Sequence, residues 1–275
     1  MRNDSFEIRP LTRRIGAEIH GVDLCMAMDD ATFERIHKAL LDHLVIFFRG
    51  QNMTPDQHVE FGQRFGDLHV HPSAPCVDGR PELMKIHADA NSPFVEGTAW
   101  HSDVSCDEEP PMASILHLTR VPEVGGDTLF ANMYDAYDML SDTMKQVLDP
   151  LQALHTSEVH RNRYEQVGGG LRRDKAPEAV HPVIRTHPKT GRKLIYVNKP
   201  FTQNIVGMTQ TESDALLNFL YTHIQNPRFH CRFRWETNSV AFWDNRCTQH
   251  HATWDYFPEV RSGIRVTVAG DKPFH

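Results

Sequence analysis

Apolar residues along this chain fall in short runs that are separated by glycine, proline and polar clusters. Such runs, alternating or continuous, predict strands, because successive side chains of a strand point to opposite faces. The predicted strands are residues 6–11, 17–22, 44–48, 83–87, 114–118, 128–131, 183–186, 193–197, 229–235, 239–243 and 264–269. Residues 183–186 and 193–197 flank a His-Pro-Lys-Thr-Gly stretch that predicts a hairpin.

Helices are predicted where apolar residues recur at intervals of three and four. Asp29 or Asp30 can cap a helix that runs to about residue 43 and carries apolar residues at helical spacing. Residues 54–57 (TPDQ) combine a capping threonine, a proline suited to the first turn and a glutamine that completes a capping box. A second helix therefore begins there and ends near residue 66, and two more are predicted at residues 134–148 and 209–222.

Many short strands with few helices predict a mainly β fold with α-helices around it, either an antiparallel barrel or a double-sheet jelly roll. Residues 68–100 are loop-like apart from one strand, and the glycine and charge cluster at 168–175 predicts a mobile insertion. We find no internal repeat and no linker that splits the chain, so we expect a single domain over residues 1–275.

The composition narrows the class of protein. The net charge is −7 at pH 7, which argues against a nucleic-acid partner because nucleic-acid-binding surfaces are normally basic. No apolar run approaches the ~18 residues of a membrane helix, and the charged N-terminus is unlike a secretory signal. The 5 cysteines are scattered and form no CxxC pair, which indicates a reducing compartment. We therefore expect a cytoplasmic protein that binds neither nucleic acid nor membrane.

A histidine and an aspartate two residues apart, His101 and Asp103, form the first candidate site. Residues i and i+2 of an extended segment share a face, so this imidazole and this carboxylate can bind one metal ion. His250, after an apolar strand, would complete a 2-His-1-carboxylate triad that leaves coordination sites open. His-x-Asp is weak evidence alone among 18 histidines, since an ordinary pair at a strand end looks the same. Arg261 and Arg265 downstream of His250 strengthen the metal interpretation.

The motifs, taken in order, resemble the taurine dioxygenase/2,4-D dioxygenase family of Fe(II)- and 2-oxoglutarate-dependent oxygenases. The matching segments are residues 16–24 (GAEIHGVDL), 64–66 (RFG), 100–103 (WHSD), 125–128 (GGDT), 243–246 (WDNR) and 270–274 (GDKPF), which span nearly the whole chain. The resemblance implies a double-stranded β-helix (a cupin-like jelly roll) with flanking helices. It also implies a dioxygenase that uses Fe(II), 2-oxoglutarate and O2 and forms a homodimer or homotetramer.

Roles for individual residues at the metal follow from the same resemblance. His101, Asp103 and His250 would bind Fe(II), and no further catalytic residue is needed. Arg261 would hold the distal carboxylate of 2-oxoglutarate, for which a planar, permanently charged guanidinium is well suited. Thr128 would add a hydroxyl hydrogen bond to that carboxylate. The presence of Asp103 favours hydroxylation over halogenation, since a halogenase needs a small residue there.

At the substrate end, Arg265 and His71 would face an anionic group, and Phe201 would pack beside the substrate. The family's tyrosine and asparagine that hold the amine of taurine correspond to Ala74 and Gly97 here, so we expect a substrate other than taurine. The candidates are another alkylsulfonate, an alkyl sulfate ester, an aryloxyalkanoate or another carboxylate.

Two other classes of function are compatible with the same residues. A non-catalytic barrel that binds a metal and an anion would keep the same pocket but form no succinate. A zinc hydrolase could use the same three ligands, but it would need a general base beside the open coordination site and gives no reason for Arg261.

Overall fold

The computed structural model describes residues 6–95, 97–158, 165, 169–170, 172 and 175–275. Its strands are β1 (Glu7–Pro10), β2 (Ala17–His20), β3 (Val45–Phe48), β4 (Cys76–Val77), β5 (Arg80–Ala88), β6 (Ala113–Arg120), β7 (Thr128–Asn132), β8 (Gln152–Thr156), β9 (Glu178–Pro182), β10 (Ile184–Thr186), β11 (Lys193–Ile195), β12 (Thr202–Ile205), β13 (His230–Phe233), β14 (Ser239–Asp244), β15 (Thr248–Ala252) and β16 (Arg261–Val268). Its α-helices are α1 (Asp30–His43), α2 (Pro55–Gln63), α3 (Met133–Asp138), α4 (Asp142–Leu148) and α5 (Gln210–His223), and a 3₁₀ turn spans Pro227–Phe229. The fold is mainly β with some helices, as predicted.

Within the described residues, the largest sheet joins eight strands in the order β1-β2-β3-β14-β6-β16-β5-β4. Neighbouring strands are antiparallel except β2 and β3, which are parallel. At Gly263 a side chain would bring its Cβ within 2.1 Å of the His117 carbonyl oxygen. Glycine therefore lets β16 approach β6 closely at an irregularity in their pairing.

The central strands β3 and β14 are buried on both faces, which explains their continuous apolar sequences. Val45 and Phe47 pack into one core cluster, whereas Ile46 and Phe48 pack into another. This division follows the alternation of side chains along a strand. Helices α1 and α2 cover the second cluster through residues that include Ile36, Ala39, Leu40 and Phe61.

A smaller sheet, in the order β13-β7-β15, lies against the other face of the large sheet. Phe47 of β3 stacks on Phe233 of β13 with ring centroids 3.9 Å apart, and Phe130 of β7 lies 5.7 Å from Trp243 of β14. Aromatic contacts of this kind add to the apolar area that the two sheets bury against each other. The apolar core between the sheets therefore lies directly beneath the two strands that carry His250 and Thr128.

The helix starts follow the sequence predictions closely. The Asp29 side chain accepts from the Thr32 amide at the start of α1, and Thr54 and Gln57 form the predicted capping box of α2. The predicted helix at 134–148 is two helices instead. The Ser141 side chain caps α4 and so begins a new helix, an effect that the apolar spacing does not reveal.

The polar strands were missed. The sequences of β8 (QALHT), β9 (EAVHP), β12 (TQNI) and β15 (TQHHA) are rich in polar residues and do not show the apolar pattern. The predicted strand 229–235 is found as the shorter β13, since Phe229 ends a 3₁₀ turn and the strand stops at Phe233. The hairpin prediction is confirmed by the pairing of β10 with β11. Half of the predicted insertion at 168–175 lies outside the described residues. No helix among those described is long and apolar enough to span a membrane.

Candidate active site

His101 and His250 are held side by side by the backbone. Residue 101 lies between β5 and β6, and residue 250 lies in β15. Each donates its amide to the carbonyl of the other, at 3.1 and 2.9 Å, as an isolated antiparallel bridge. Their rings consequently lie with centroids 4.1 Å apart, although 149 positions separate them in the sequence. β15 thus carries the second histidine to the segment that carries the first.

The third member of the group, Asp103, faces both rings. Its Oδ1 lies 3.8 Å from His101 Nε2 and 4.0 Å from His250 Nε2. These separations are too long for hydrogen bonds. They fall within the roughly 4.2 Å that two ligands can span across one ion when each bond is about 2.1 Å long. Two imidazole nitrogens and one carboxylate oxygen therefore point at a common centre.

Hydrogen bonds fix which nitrogen of His101 is available. His101 Nδ1 lies 2.7 Å from the carbonyl oxygen of Ala99, which can only accept, so Nδ1 carries the proton. Nε2 then presents a lone pair toward Asp103, as metal-binding histidines do when a carbonyl holds their other nitrogen. Burial lowers the pKa of His101 and lowers that of His250 well below its ordinary value. Both rings are therefore neutral at pH 7, and neutral imidazole is the form that binds a metal.

Asp103 is positioned by three neighbours. Its Oδ2 accepts from Ser114 Oγ at 2.7 Å, its Oδ1 accepts from Arg265 Nη1 at 2.7 Å, and its amide donates to Asn245 Oδ1 at 2.7 Å. Burial would raise the pKa of Asp103, but the charge of Arg265 and the hydrogen bond from Ser114 help to keep it below the ordinary value. The carboxylate is thus ionised and oriented. The residues present fit a divalent metal ion of the Fe(II) type.

Arg261 and Thr128 lie together on one side of this group. Arg261 Nε donates to the Gly126 carbonyl at 3.1 Å and Nη2 donates to Thr128 Oγ1 at 3.3 Å. Thr128 Oγ1 also accepts from Trp235 Nε1 at 2.9 Å, so its own proton is left to donate elsewhere. Burial lowers the pKa of Arg261 to about 10, so it is charged at pH 7. Among the described residues it forms no salt bridge, which suits a guanidinium that receives a carboxylate from a bound molecule.

His71 and Arg265 lie at another side of the same cavity. His71 Nδ1 accepts from the amides of Ser73 and Ala74, at 3.1 and 2.8 Å, so the ring proton is on Nε2. Burial lowers the pKa of His71 well below its ordinary value, so this neutral ring offers an N–H donor and no charge. Arg265 is shared between Asp103 and the cavity, and its buried Nε has no partner among the described residues. The pair can therefore bind an anionic group beside the metal.

These residues surround one cavity of about 340 Å³. Its lining includes all the predicted site residues except Ala74, and its apolar walls include Met84, Ile86, Leu116 and Phe201. Ala74 is buried and packs against Met84 instead, while its amide orients His71. Gly97 does line the cavity, with a positive φ, and a Cβ there would lie 3.3 Å from His101 Cε1. A second cavity of about 200 Å³ shares Met84, Ile86 and Arg261 with the first.

Sequence reasoning missed the residues that support the three ligands. No sequence pattern marks Ser114 or the carbonyl of Ala99 as part of a site. Their roles are visible only in the folded structure, where they contact Asp103 and His101. Asn245 lies in the WDNR motif that carried the resemblance, so that motif could have revealed it. Lys199 also lines the cavity and was not predicted.

Comparisons with known proteins agree with this geometry. Residues 7–267 match the family described as taurine catabolism dioxygenase TauD, TfdA family. The chain is 37% identical to an alpha-ketoglutarate-dependent sulfate ester dioxygenase of Pseudomonas putida, over 97% of this chain and 90% of that protein. It is 36% identical to an alkylsulfatase of Acinetobacter baylyi, over 96% of this chain and 85% of that protein. A crystal structure of a taurine dioxygenase from Burkholderia xenovorans is similar at 39% identity, with a TM-score of 0.84 over 98% of this chain and 92% of that one.

Proposed function

The chain belongs to the TauD, TfdA family, and from that premise we propose that it hydroxylates an alkylsulfonate or an alkyl sulfate ester other than taurine. It is a 2-oxoglutarate-dependent dioxygenase whose co-substrates are 2-oxoglutarate and O2 and whose metal is Fe(II). The observation that carries the proposal is that one cavity contains a metal-ligand triad, an arginine that has no carboxylate partner among the described residues, and a second pair of side chains suited to an anion.

We assign Fe(II) to His101, Asp103 and His250. The distal carboxylate of 2-oxoglutarate would bind Arg261, with Thr128 donating its hydroxyl proton to the same carboxylate. The lone pair of His101 Nε2 and the ionised Asp103 support the first assignment. The absence of a salt bridge at Arg261 among the described residues supports the second.

The anionic head of the substrate would bind Arg265 and the Nε2–H of His71, with its carbon chain against Phe201, Met84 and Ile86. A sulfonate or sulfate group accepts several hydrogen bonds, which matches a guanidinium and an imidazole N–H. Ala74 and Gly97 offer no polar side chain for an ammonium group, and this favours a substrate that lacks the amine of taurine.

When bound, Fe(II) with 2-oxoglutarate and O2 supplies an oxidant strong enough to hydroxylate a C–H bond, and 2-oxoglutarate leaves as succinate and CO2. Arg265 and His71 orient the carbon beside the head group toward the metal, while the apolar walls exclude water. Hydroxylation of that carbon makes the product unstable. The C–S bond of a sulfonate breaks to give an aldehyde and sulfite, and a sulfate ester gives an aldehyde and sulfate.

The remaining expectations extend this proposal. We propose that residues 1–275 form a single domain and that the facing sheets are a double-stranded β-helix of the jelly-roll type, with helices α1 and α2 outside the large sheet. The homo-oligomeric state and the cytoplasmic location stay predictions from the resemblance and from the cysteine content.

The test is a substrate screen with Fe(II), ascorbate and 2-oxoglutarate that measures substrate-stimulated succinate. Its compounds are alkylsulfonates, alkyl sulfate esters and aryloxyalkanoates. We expect sulfonates or sulfate esters to stimulate succinate formation and to release sulfite or sulfate in equal amount. If aryloxyalkanoates alone stimulate succinate formation, the substrate class is aryloxyalkanoates and not sulfonates or sulfate esters. Metal binding without succinate from any compound would indicate a sensor, and product formation without O2 would indicate a hydrolase.

A further inference from the structure

One cation of the active-site cavity has no role in the assignments above. The polar side chains that line the cavity are used by the metal, by 2-oxoglutarate or by the head group, except those of Thr98, Lys199 and Trp243. Trp243 packs on His250 with ring centroids 4.7 Å apart and so belongs to the metal end. Lys199 is the cation left over. It forms no hydrogen bond or salt bridge with the part of the chain that the structure describes.

Lys199 lies at the rim of the cavity. Its side chain is exposed, whereas Phe201, two residues on, is buried and lines the same cavity. Lys199 also lines a neighbouring groove with Ala99, Trp100 and His251, which places it where the cavity wall meets the protein surface. The segment between these two residues therefore runs from the surface to the wall. A molecule whose head is held at the buried Arg265 and which passes Phe201 would reach Lys199 with its far end.

The charges at the site favour an anion at that far end. With Fe(II) bound, the cations are the metal, Arg261, Arg265 and Lys199, and the anions are Asp103 and the two carboxylates of 2-oxoglutarate. His101 and His250 would bind the metal as neutral imidazoles, and His71 Nδ1 accepts two backbone amides. The sum leaves about two positive charges, of which a monoanionic head group balances one. An ammonium group at the far end would instead face Lys199 and be repelled.

We infer that Lys199 recognises the far end of the substrate and that the preferred substrate is anionic at both ends, a sulfonate or sulfate ester that carries a terminal carboxylate. The inference rests on the proposed function, because the head group must occupy Arg265 for the far end to reach the rim. Lys199 is a specificity-determining residue in this role and takes no part in the oxidation itself.

The test compares three sulfonates of matched chain length that differ only in the far end: 3-sulfopropanoate, propane-1-sulfonate and taurine. The same comparison is made with a longer set and with the corresponding sulfate esters. For each, kcat and KM are measured from substrate-stimulated succinate in the wild type, Lys199→Ala, Lys199→Arg and Lys199→Glu. Lys189→Ala, at an exposed position in the β10–β11 hairpin, is the matched control.

We expect the wild type to prefer the carboxylate-ended compound over the methyl-ended one by about fivefold in kcat/KM, the effect of an ion pair worth about 1 kcal/mol at an exposed site. Lys199→Ala should remove that preference through KM, Lys199→Arg should keep it, and Lys199→Glu should shift the preference toward the ammonium-ended compound. High salt should weaken the wild-type preference.

A preference that is the same in the wild type and in Lys199→Ala would overturn the inference while leaving the proposed function intact. So would a wild type that favours the methyl-ended compound. If no sulfonate or sulfate ester of any length stimulates succinate, the proposed function itself fails, and that outcome is visible in the wild type before any variant is compared.

Discussion

Two groups of side chains in the described part of the chain have three potential metal ligands within 4.8 Å of one another. One is the triad of His101, Asp103 and His250, and the other is His187, Asp244 and Cys247, near the far end of β14. By residue type and burial, both look like metal sites. Their hydrogen bonds differ, and that difference decides which group can take an ion.

The second group has no ligand atom to spare. Asp244 accepts the backbone amide and two guanidinium nitrogens of Arg246 and also faces His187 Nε2 at 3.1 Å. His187 Nδ1 accepts two backbone amides, from residues 189 and 190, so Nε2 must carry the proton and donate to Asp244. Burial and the nearby charge of Asp244 raise the pKa of the Cys247 thiol well above its ordinary value, so no thiolate forms.

The triad is arranged the other way. His101 Nδ1 donates a hydrogen bond to the Ala99 carbonyl, so the lone pair of Nε2 faces Asp103. Arg265 binds only one oxygen of Asp103, and the other accepts from Ser114. The lesson is that the tautomers of His101 and His187, which the partners of their Nδ1 atoms determine, separate the metal site from the structural cluster. The following predictions test that separation.

The largest effect is expected from His101→Ala. Removal of one of three ligands should reduce bound iron and bring 2-oxoglutarate turnover to background. Cys247→Ala, the matched change in the second group, should leave both unchanged, because its thiol is protonated and donates to the Asp244 carbonyl, 3.8 Å away. The iron content and the rate of succinate formation are measured for both variants. Reduced iron in purified, folded Cys247→Ala would contradict the assignment of that group as structural.

Asp244→Asn should have the next largest effect, and on stability alone. It leaves the buried Arg246 without its carboxylate, and breaking a buried ion pair costs about 3–5 kcal/mol. Asp42→Asn removes a carboxylate from an exposed pair with Lys38 and should cost under about 0.5 kcal/mol. Denaturant unfolding measures both. The folded fraction of Asp244→Asn should still bind one iron per chain. A loss of iron without a loss of stability would mean that the second group, and not the triad, binds the metal.

Arg261 and Arg246 extend the comparison to two buried arginines. Arg246 has a carboxylate partner within the chain, whereas Arg261 has none among the described residues and would receive one from 2-oxoglutarate. Arg261→Ala should therefore raise the KM for 2-oxoglutarate about 30-fold, the loss of roughly 2 kcal/mol from hydrogen bonds to a charged group.

Stability should change little in Arg261→Ala, because no carboxylate in the described part of the chain loses a partner. Arg265→Ala is the control at the other side of the cavity. Because Arg265 also binds Asp103, iron content is measured in both variants, and at equal iron content Arg265→Ala should raise the KM of the sulfonate or sulfate ester more than the KM for 2-oxoglutarate. An unchanged 2-oxoglutarate KM in Arg261→Ala would refute the role of that arginine.

The sequence supported the triad but could not have separated it from the second group. His101 and Asp103 stand two apart in the sequence, and the motifs around them pointed to His250, although in the structure Asp103 lies in a turn and not in a strand. His187 lies in a turn that was predicted only as a hairpin, so its contact with Asp244 depends on how β10–β11 packs against β14. β15 was missed because a strand that carries a metal ligand on one face and polar residues on the other has no apolar pattern. Ser114 and Lys199 look like any serine in a strand and any lysine on a surface.

The smallest expected effect concerns how pH acts on the second group. Burial would raise the pKa of Asp244, but the charge of Arg246 and the hydrogen bonds from Arg246 and His187 keep it below its ordinary value. A carboxyl whose pKa is lower in the folded state stabilises the fold above the pKa of the unfolded state, which is about 3.9. That stabilisation is lost as pH falls toward the pKa of the folded state.

The free energy of unfolding of the wild type should exceed that of Asp244→Asn, and this advantage should therefore shrink by about 1 kcal/mol between pH ~6 and pH ~3. Urea unfolding of both proteins across that range measures it. An advantage that stays constant would mean that Asp244 is not held ionised by Arg246, and the second group would then lose the saturation that distinguishes it from the triad.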